Sequence, residues 1–313
     1  MKTTDFLTRE EINDFTRRSD LAGAWMVVSN WVMIAAVFAI VITWTNPLTI
    51  LFAIPLLGGR QLGLAVLMHE AGHKTLFKTD ALNRSIGQWF CAYPVMGDVV
   101  AYGESHRVHH RYAGTDQDPD LPNYRNYPVS KASFKRKIIR DLTGRTGLLL
   151  LRSLVGSAKG RNVMLREGEE TNSERRGLLV NAVMFLAMLA MGVGAFYLLW
   201  LVAYFIAYPL IARIRQVAEH GNVADLYDPD PRKNTRTTYA NVLDRLLFCP
   251  NHVNYHLEHH LLASVPCHRL PALHRLLLER GFYEGHEDAI ARSYLQMLKR
   301  AVPELGGGAA PAT

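Results

Sequence analysis

Residues 21–59 read LAGAWMVVSNWVMIAAVFAIVITWTNPLTILFAIPLLGG, without one charged side chain. As a single helix this stretch would run to nearly 60 Å at about 1.5 Å per residue. The hydrocarbon core of a bilayer is roughly 30 Å thick. Thr45-Asn46-Pro47 supplies a break, because proline and the residue before it disfavour continued helix. The stretch therefore reads as two crossings joined by a tight turn. A second uncharged run, Gly177–Ala212, is interrupted at Gly192-Val193-Gly194 and reads as a second pair, at about 177–192 and 195–220. One tilted helix over the second run is the alternative, and an odd count of crossings would leave histidines on opposite sides. The expected fold is an all-α membrane protein: four transmembrane helices as two hairpins, with a cytosolic helical cap.

Charge sets the orientation. Lys131 to Arg176 contains twelve Lys and Arg, the N-terminal arm adds Lys2, Arg9, Arg17 and Arg18, and the two outer turns carry none. Positive residues stay cytoplasmic, which places both termini and the middle segment inside. The formal charge of +7 suits anionic headgroups or an acidic protein partner; no nucleic-acid partner is expected. Cys91, Cys249 and Cys267 form no CxxC pair, which argues against a disulfide framework and a thiolate zinc site. The mixed-charge N-terminus is unlike a cleaved signal peptide. The expected organisation is a polar arm at 1–20, a hairpin at 21–70, and a cytosolic and interfacial segment at 71–176. A second hairpin at 177–220, a cytosolic cap at 221–302 and a disordered tail at 303–313 follow.

Eight of the thirteen histidines fall in three groups. His69-Glu70-Ala71-Gly72-His73 has i, i+4 spacing. His106-Arg107-Val108-His109-His110 and His256-Leu257-Glu258-His259-His260 have i, i+3, i+4 spacing. On a helix these spacings put the rings on one face, a turn apart. Arg60 precedes His69 by nine residues and Arg213 precedes His220 by seven. If those charges mark the interface, both long helices protrude roughly 10 Å beyond it, each with a histidine at its end. His220 is thus the ninth candidate. His252, one turn before His256, is the alternative or a supplement to it. His268, His274 and His286 lack the pattern and read as surface or packing residues. Eight or nine imidazoles exceed the four ligands of a structural zinc, so two ions are implied. Imidazole suits zinc, copper, nickel and iron, and iron fits one-electron and O2 chemistry. Glu70, Glu104, Glu219 and Glu258 are candidates to orient the rings, with surface solvation as the alternative. Trp89, Phe90, Tyr93, Tyr102 and Phe248 are candidates to line a path for an apolar chain, with core packing as the alternative.

In this order, around two hydrophobic hairpins, HEAGH, HRVHH and HLEHH resemble the three histidine boxes of the membrane fatty acid desaturase and hydroxylase superfamily. The resemblance covers about residues 25–275. Asn254-Tyr255 before the third box and Val265-Pro266 after it are similar to the family's last box and its exit. Asp116-Gln117-Asp118-Pro119-Asp120 resembles a variant among bacterial members. The first box has three intervening residues where some members have four. The resemblance implies a non-haem di-iron centre held by His69, His73, His106, His109, His110, His256, His259 and His260, with the family's additional histidine mapping onto His220. It implies O2 as co-substrate and insertion of a double bond or a hydroxyl into an acyl or related chain, in a bacterial inner membrane with the metal site cytoplasmic.

Fatty acyl desaturation is the expected function. The alternatives are a hydroxylase or ketolase of the same superfamily acting on an acyl, alkane, carotenoid or sphingoid substrate and, more remotely, an intramembrane zinc protease. In that last reading His69-Glu70-Ala71-Gly72-His73 is HExxH and Glu70 the general base. No GxGxxG fingerprint follows a strand, since Gly192-Val193-Gly194 sits in a membrane hairpin. No haem or ferredoxin-like domain is appended. An external electron donor, a ferredoxin or a cytochrome with its reductase, is therefore expected.

Overall fold

The computed structural model describes residues 3–157 and 173–309; of the twelve interior cations, Lys159, Arg161 and Arg166 lie outside them. The first hairpin consists of helices Asp20–Thr43 and Pro47–Gly72. Its turn is specified locally. The Asn46 side chain accepts from the Leu48 and Thr49 amides, Thr49 caps Asn46 in return, and Pro47 occupies the first helical position, where its missing N–H costs nothing. From Leu57 to Ala71 almost every residue of the second arm is buried. It is the central rod of the molecule, which explains why it is apolar all round rather than on one stripe.

The second hairpin has unequal arms. Ser173–Ala190 leads to a turn with Gly192 at φ +77°, a backbone that favours glycine. A continuous helical run, Gly194–His220, follows. Within it Ala203–Ala207 is a π-helical segment just before Pro209; such wide turns accommodate the hydrogen bond a proline cannot make. Among the described residues, three helices are long and apolar enough to cross a membrane: Asp20–Thr43 with 24 residues, Pro47–Gly72 with 26 and Gly194–His220 with 27. Ser173–Ala190, in the place of the crossing expected at about 177–192, is not among them. Glu174, Arg175 and Arg176 fill its first turn, and its apolar part is only about 20 Å long.

The two arginines expected to mark the interface turn inward instead. Arg60 is buried and donates to the Leu246 carbonyl at 2.6 Å and the Arg245 carbonyl at 3.2 Å, closing the end of the short helix Val242–Leu247. Arg213 forms a two-pronged pair with buried Asp141, at 2.5 and 2.9 Å, tying the basic helix Lys131–Leu142 to the second long rod. Carbonyl ends and a carboxylate inside the fold are partners that hydropathy alone does not reveal.

The polar ends of the rods carry a cap with the apolar core Leu67, Leu257, Leu270, Leu273, Leu277 and Phe282. The N-terminal arm is not free. Helix Arg9–Phe15 is pinned to the cap by Arg269–Asp14 at 2.7 Å and Arg280–Glu11 at 2.5 Å, with Phe6 against Phe282. The expected disordered tail starts too early. Pro303–Gly306 is a helical turn whose Glu304 accepts from the Lys131 amide at 2.9 Å, while residues 310–313 lie outside the described residues. One departure from an all-helical fold is a two-residue parallel pair, Thr237–Thr238 with Ile290–Ala291.

Candidate metal centre

Four elements deliver the histidines. Pro47–Gly72 ends at the first box, with His69 in its last turn and His73 as its C-cap. Val99–Tyr112 is opened by Asp98, whose side chain accepts from two amides, and it turns His106, His109 and His110 to one side. His220 is the last residue of the Gly194–His220 run. His256–Leu261 carries the third box. Pro47–Gly72 and Val99–Tyr112 approach closely at Gly72 and Gly103, where a Cβ on either would lie 3.1 Å from the other's Cα.

These elements bring all nine candidates together, and they sort them across the boxes. His69, His73, His106, His110 and His259 form one group, and His109, His220, His256 and His260 the other. In each, the candidate ligand atoms lie within 4.8 Å of one another. The groups adjoin: His110 and His260 have ring centroids 4.4 Å apart. His252 is in neither group; it sits at positive φ with its ring 6.4 Å from Tyr255.

Tautomers show what the rings are arranged for. A neutral imidazole has one N–H. His69 Nδ1 faces Glu70 Oε1 at 3.2 Å, His109 Nδ1 faces Asp118 Oδ1 at 2.8 Å, and His220 Nδ1 faces the Asn234 carbonyl at 3.0 Å. These acceptors hold the proton on Nδ1 and leave Nε2 with a bare lone pair. Yet His69 Nε2 stands 2.9 Å from His106 Nε2 and 3.1 Å from His259 Nε2. His220 Nε2 is 3.0 Å from His256 Nε2, and His109 Nε2 is 3.2 Å from His260 Nε2. His73 Nε2 is buried with no hydrogen-bond partner among the described residues. Lone pairs converging in this way suit a cation between them. With metal–nitrogen distances of about 2.1 Å, two ligands at right angles lie about 3.0 Å apart, which matches. Five nitrogens in one group also exceed a tetrahedral zinc site. The buried cluster fits a di-metal site.

Electrostatics favour the ligating form. Burial, reinforced by neighbouring rings, holds His106, His256, His259 and His260 well below the ordinary histidine range. It depresses His110 as well and brings His73 down to about 3. Neutral rings are the ones that bind metal. Burial raises Asp118, but hydrogen bonds from His109, Tyr124 and the Asp120 amide, with the His109 charge, together outweigh it and hold the carboxyl below its ordinary range. The Tyr124 hydroxyl donates to the other oxygen of Asp118. Asp120 is raised by burial, lies 3.8 Å from His109 Nδ1 and forms a further small grouping with His106 and His109.

The four glutamates divide. Glu70 backs His69 and also accepts from the Thr75 hydroxyl and the Cys267 amide, both at 2.9 Å. It therefore stands on the Nδ1 side of the ring, away from the converging nitrogens, which removes the general base that a zinc protease needs. Glu219 accepts from Arg215 Nε at 2.6 Å and lies 3.6 Å from His256 Nδ1. Glu104 is exposed. Glu258 is buried and faces away from the rings, toward Thr237, His274 and Tyr283. His274, read from sequence as an ordinary surface or packing residue, is buried in that polar network. Sequence reasoning missed it and Asp118. Asp118 carried a signal, an acid-rich segment just after the second box; His274 carried none. The five aromatics do not form one lining. Tyr102 stacks on His106 at 5.3 Å, Phe248 stacks on Tyr294 at 5.5 Å, Tyr93 is buried in the core, and Trp89 and Phe90 are exposed.

Long apolar helices ending in two adjoining groups of imidazoles fit a histidine-rich membrane protein with a di-metal site. Comparison with known proteins gives the family. Residues 43–292 match the family described as fatty acid desaturase, and the chain belongs to it. It is also 28% identical over 273 residues to dihydrorhizobitoxine desaturase of Bradyrhizobium elkanii, covering 80% of this chain and 73% of that relative. The chain is thus an oxidoreductase of the desaturase type, and the resemblance of its boxes is borne out.

Proposed function

We propose that this protein is an O2-dependent desaturase that removes two hydrogens from adjacent carbons of a lipid-like chain, with the nine grouped histidines as ligands of two irons. The observation that carries the reading is the pair of cages, five and four nitrogens strong, with the tautomers of His69, His109 and His220 set from behind. Bound iron would supply the oxidation of an unactivated C–H bond. The protein's own residues hold and orient. Glu70, Asp118 and the Asn234 carbonyl fix three rings, two of them, His69 and His220, at the ends of the rods. Converting CH2–CH2 to CH=CH with one O2 consumes two further electrons and two protons and yields two waters. Those electrons come from a separate ferredoxin, or a cytochrome with its reductase.

The chain is read as integral to a bacterial inner membrane by four crossings, with both termini and the cages cytoplasmic. His69 and His220 close on one cluster, so the far end of each rod points away from it. Gly194 is 27 residues, about 40 Å, from that end. Ser173–Ala190 must carry the chain out to it, which supports the fourth crossing despite its length. The substrate class is open to a second reading, because the relative's name specifies dihydrorhizobitoxine rather than a fatty acid. Hydroxylation or ketone formation shares the first C–H cleavage.

The test is expression in a host with a matching reductant, with products profiled by mass spectrometry. Loss of two hydrogens supports desaturation; gain of oxygen replaces it with hydroxylation. His109→Ala should abolish product. Unchanged products from that variant would remove the second box from the site.

A further inference from the structure

The helix His256–Leu261 has only six residues, lacks a side-chain N-cap, and carries three of the nine rings. So short a helix has almost no stability of its own. Its angle must come from contacts, and the strongest contacts lie on the face opposite the rings. Glu258 is fully buried there. Its Oε1 accepts from His274 Nδ1 at 2.5 Å and from the Tyr283 hydroxyl, and its Oε2 accepts from the Thr237 hydroxyl. The three donors come from separate parts of the cap: helix Leu270–Glu279, the loop after it, and the short strand pair. A buried carboxylate is stable only with such partners, and here they fasten it from three directions. His274 Nε2 in turn accepts from the Tyr239 hydroxyl at 3.1 Å. Leu270, Leu273 and Leu277 root its helix in the core.

His259 belongs to the five-ring group, whereas His256 and His260 belong to the four-ring group. A tilt of this one helix displaces ligands of both groups. Asp118, by contrast, backs His109 alone and so one group alone. We infer that His274, acting through Glu258, is a positioning residue for both metal ions at once, although it touches neither. This rests on the reading that each group holds an ion.

The test uses the full-length protein in detergent, stripped of metal and titrated anaerobically with Fe2+ or with Co2+ as a spectroscopic substitute. Bound ions are counted by elemental analysis. His274→Leu keeps bulk and removes the donor to Glu258. His274→Asn keeps an N–H where Nδ1 sits. Losing a partner behind a metal ligand typically costs 10–100-fold in affinity. We expect His274→Leu to weaken both ions by about tenfold or more, His274→Asn to restore most of that, and Asp118→Asn to weaken one ion only. Thr237→Val, which removes a different donor from Glu258, should weaken both ions and serves if His274→Leu does not fold. Two ions held with unaltered affinity in His274→Leu or Thr237→Val, or selective loss of one, would overturn the inference. An unaltered protein that takes up fewer than two ions overturns the two-ion reading itself, and the inference with it.

Discussion

Acid should open the metal-free cap within a narrow range below neutrality. Six rings outside the long rods, His73, His106, His110, His256, His259 and His260, have folded values below the ordinary one because they are buried together. In the unfolded chain they titrate near 6.5. Below that pH the unfolded state binds more protons than the folded one, so stability falls as pH falls. The loss continues until the folded rings themselves take protons, which for His73 is near pH 3. Each ring contributes about 1.4 kcal/mol per pH unit, and six together about 8 kcal/mol per unit. Whole domains are stable by only about 5–15 kcal/mol. The stripped cap should therefore open between about pH 6 and pH 4.5. Hydrogen exchange of peptides spanning 99–112 and 256–262 reads the opening, with far-UV dichroism following the long helices. Metal-loaded protein should hold to lower pH, because protons must first displace the ions. Full protection of both peptides at pH 4 in stripped protein would refute the reasoning, since rings packed as described cannot be protonated without separating.

Asp141→Ala should lower thermal stability by about 3–5 kcal/mol, because it leaves the Arg213 charge without its buried partner; a melt equal to that of the unaltered protein would show that the pair holds nothing. Gly103→Val should force apart the helices that carry the first and second boxes, since even a Cβ there meets the Gly72 backbone at 3.1 Å. Elemental analysis should then find less metal in the five-ring group, while the hairpins keep their dichroism.

Much of this was legible in residue spacing. A charge-free run broken by Asn46-Pro47 gives a hairpin on local grounds, through a capping box that depends on neighbours three residues apart. The i, i+3, i+4 histidines share a face for the same local reason. What spacing does not contain is how the boxes interleave. His109 parts from His106 and His110, and His259 parts from His256 and His260, because the assignment depends on crossing angles between helices far apart in the chain. The partners of Arg60 and Arg213 were hidden likewise, as were those of Asp118 and His274. Each is paired with a group whose nearness arises only on folding.

The central rod and the Gly194–His220 rod are each about 40 Å long, some 10 Å more than a typical hydrocarbon core. Their lipid-side ends respond to bilayer thickness by tilting, and their other ends carry His69 and His220. A difference of about 5° in tilt between two such levers moves one tip by about 3 Å against the other, as much as the gap between neighbouring nitrogens. On the proposed reading, a change of bilayer thickness would be felt as a change in the spacing between His69 and His220.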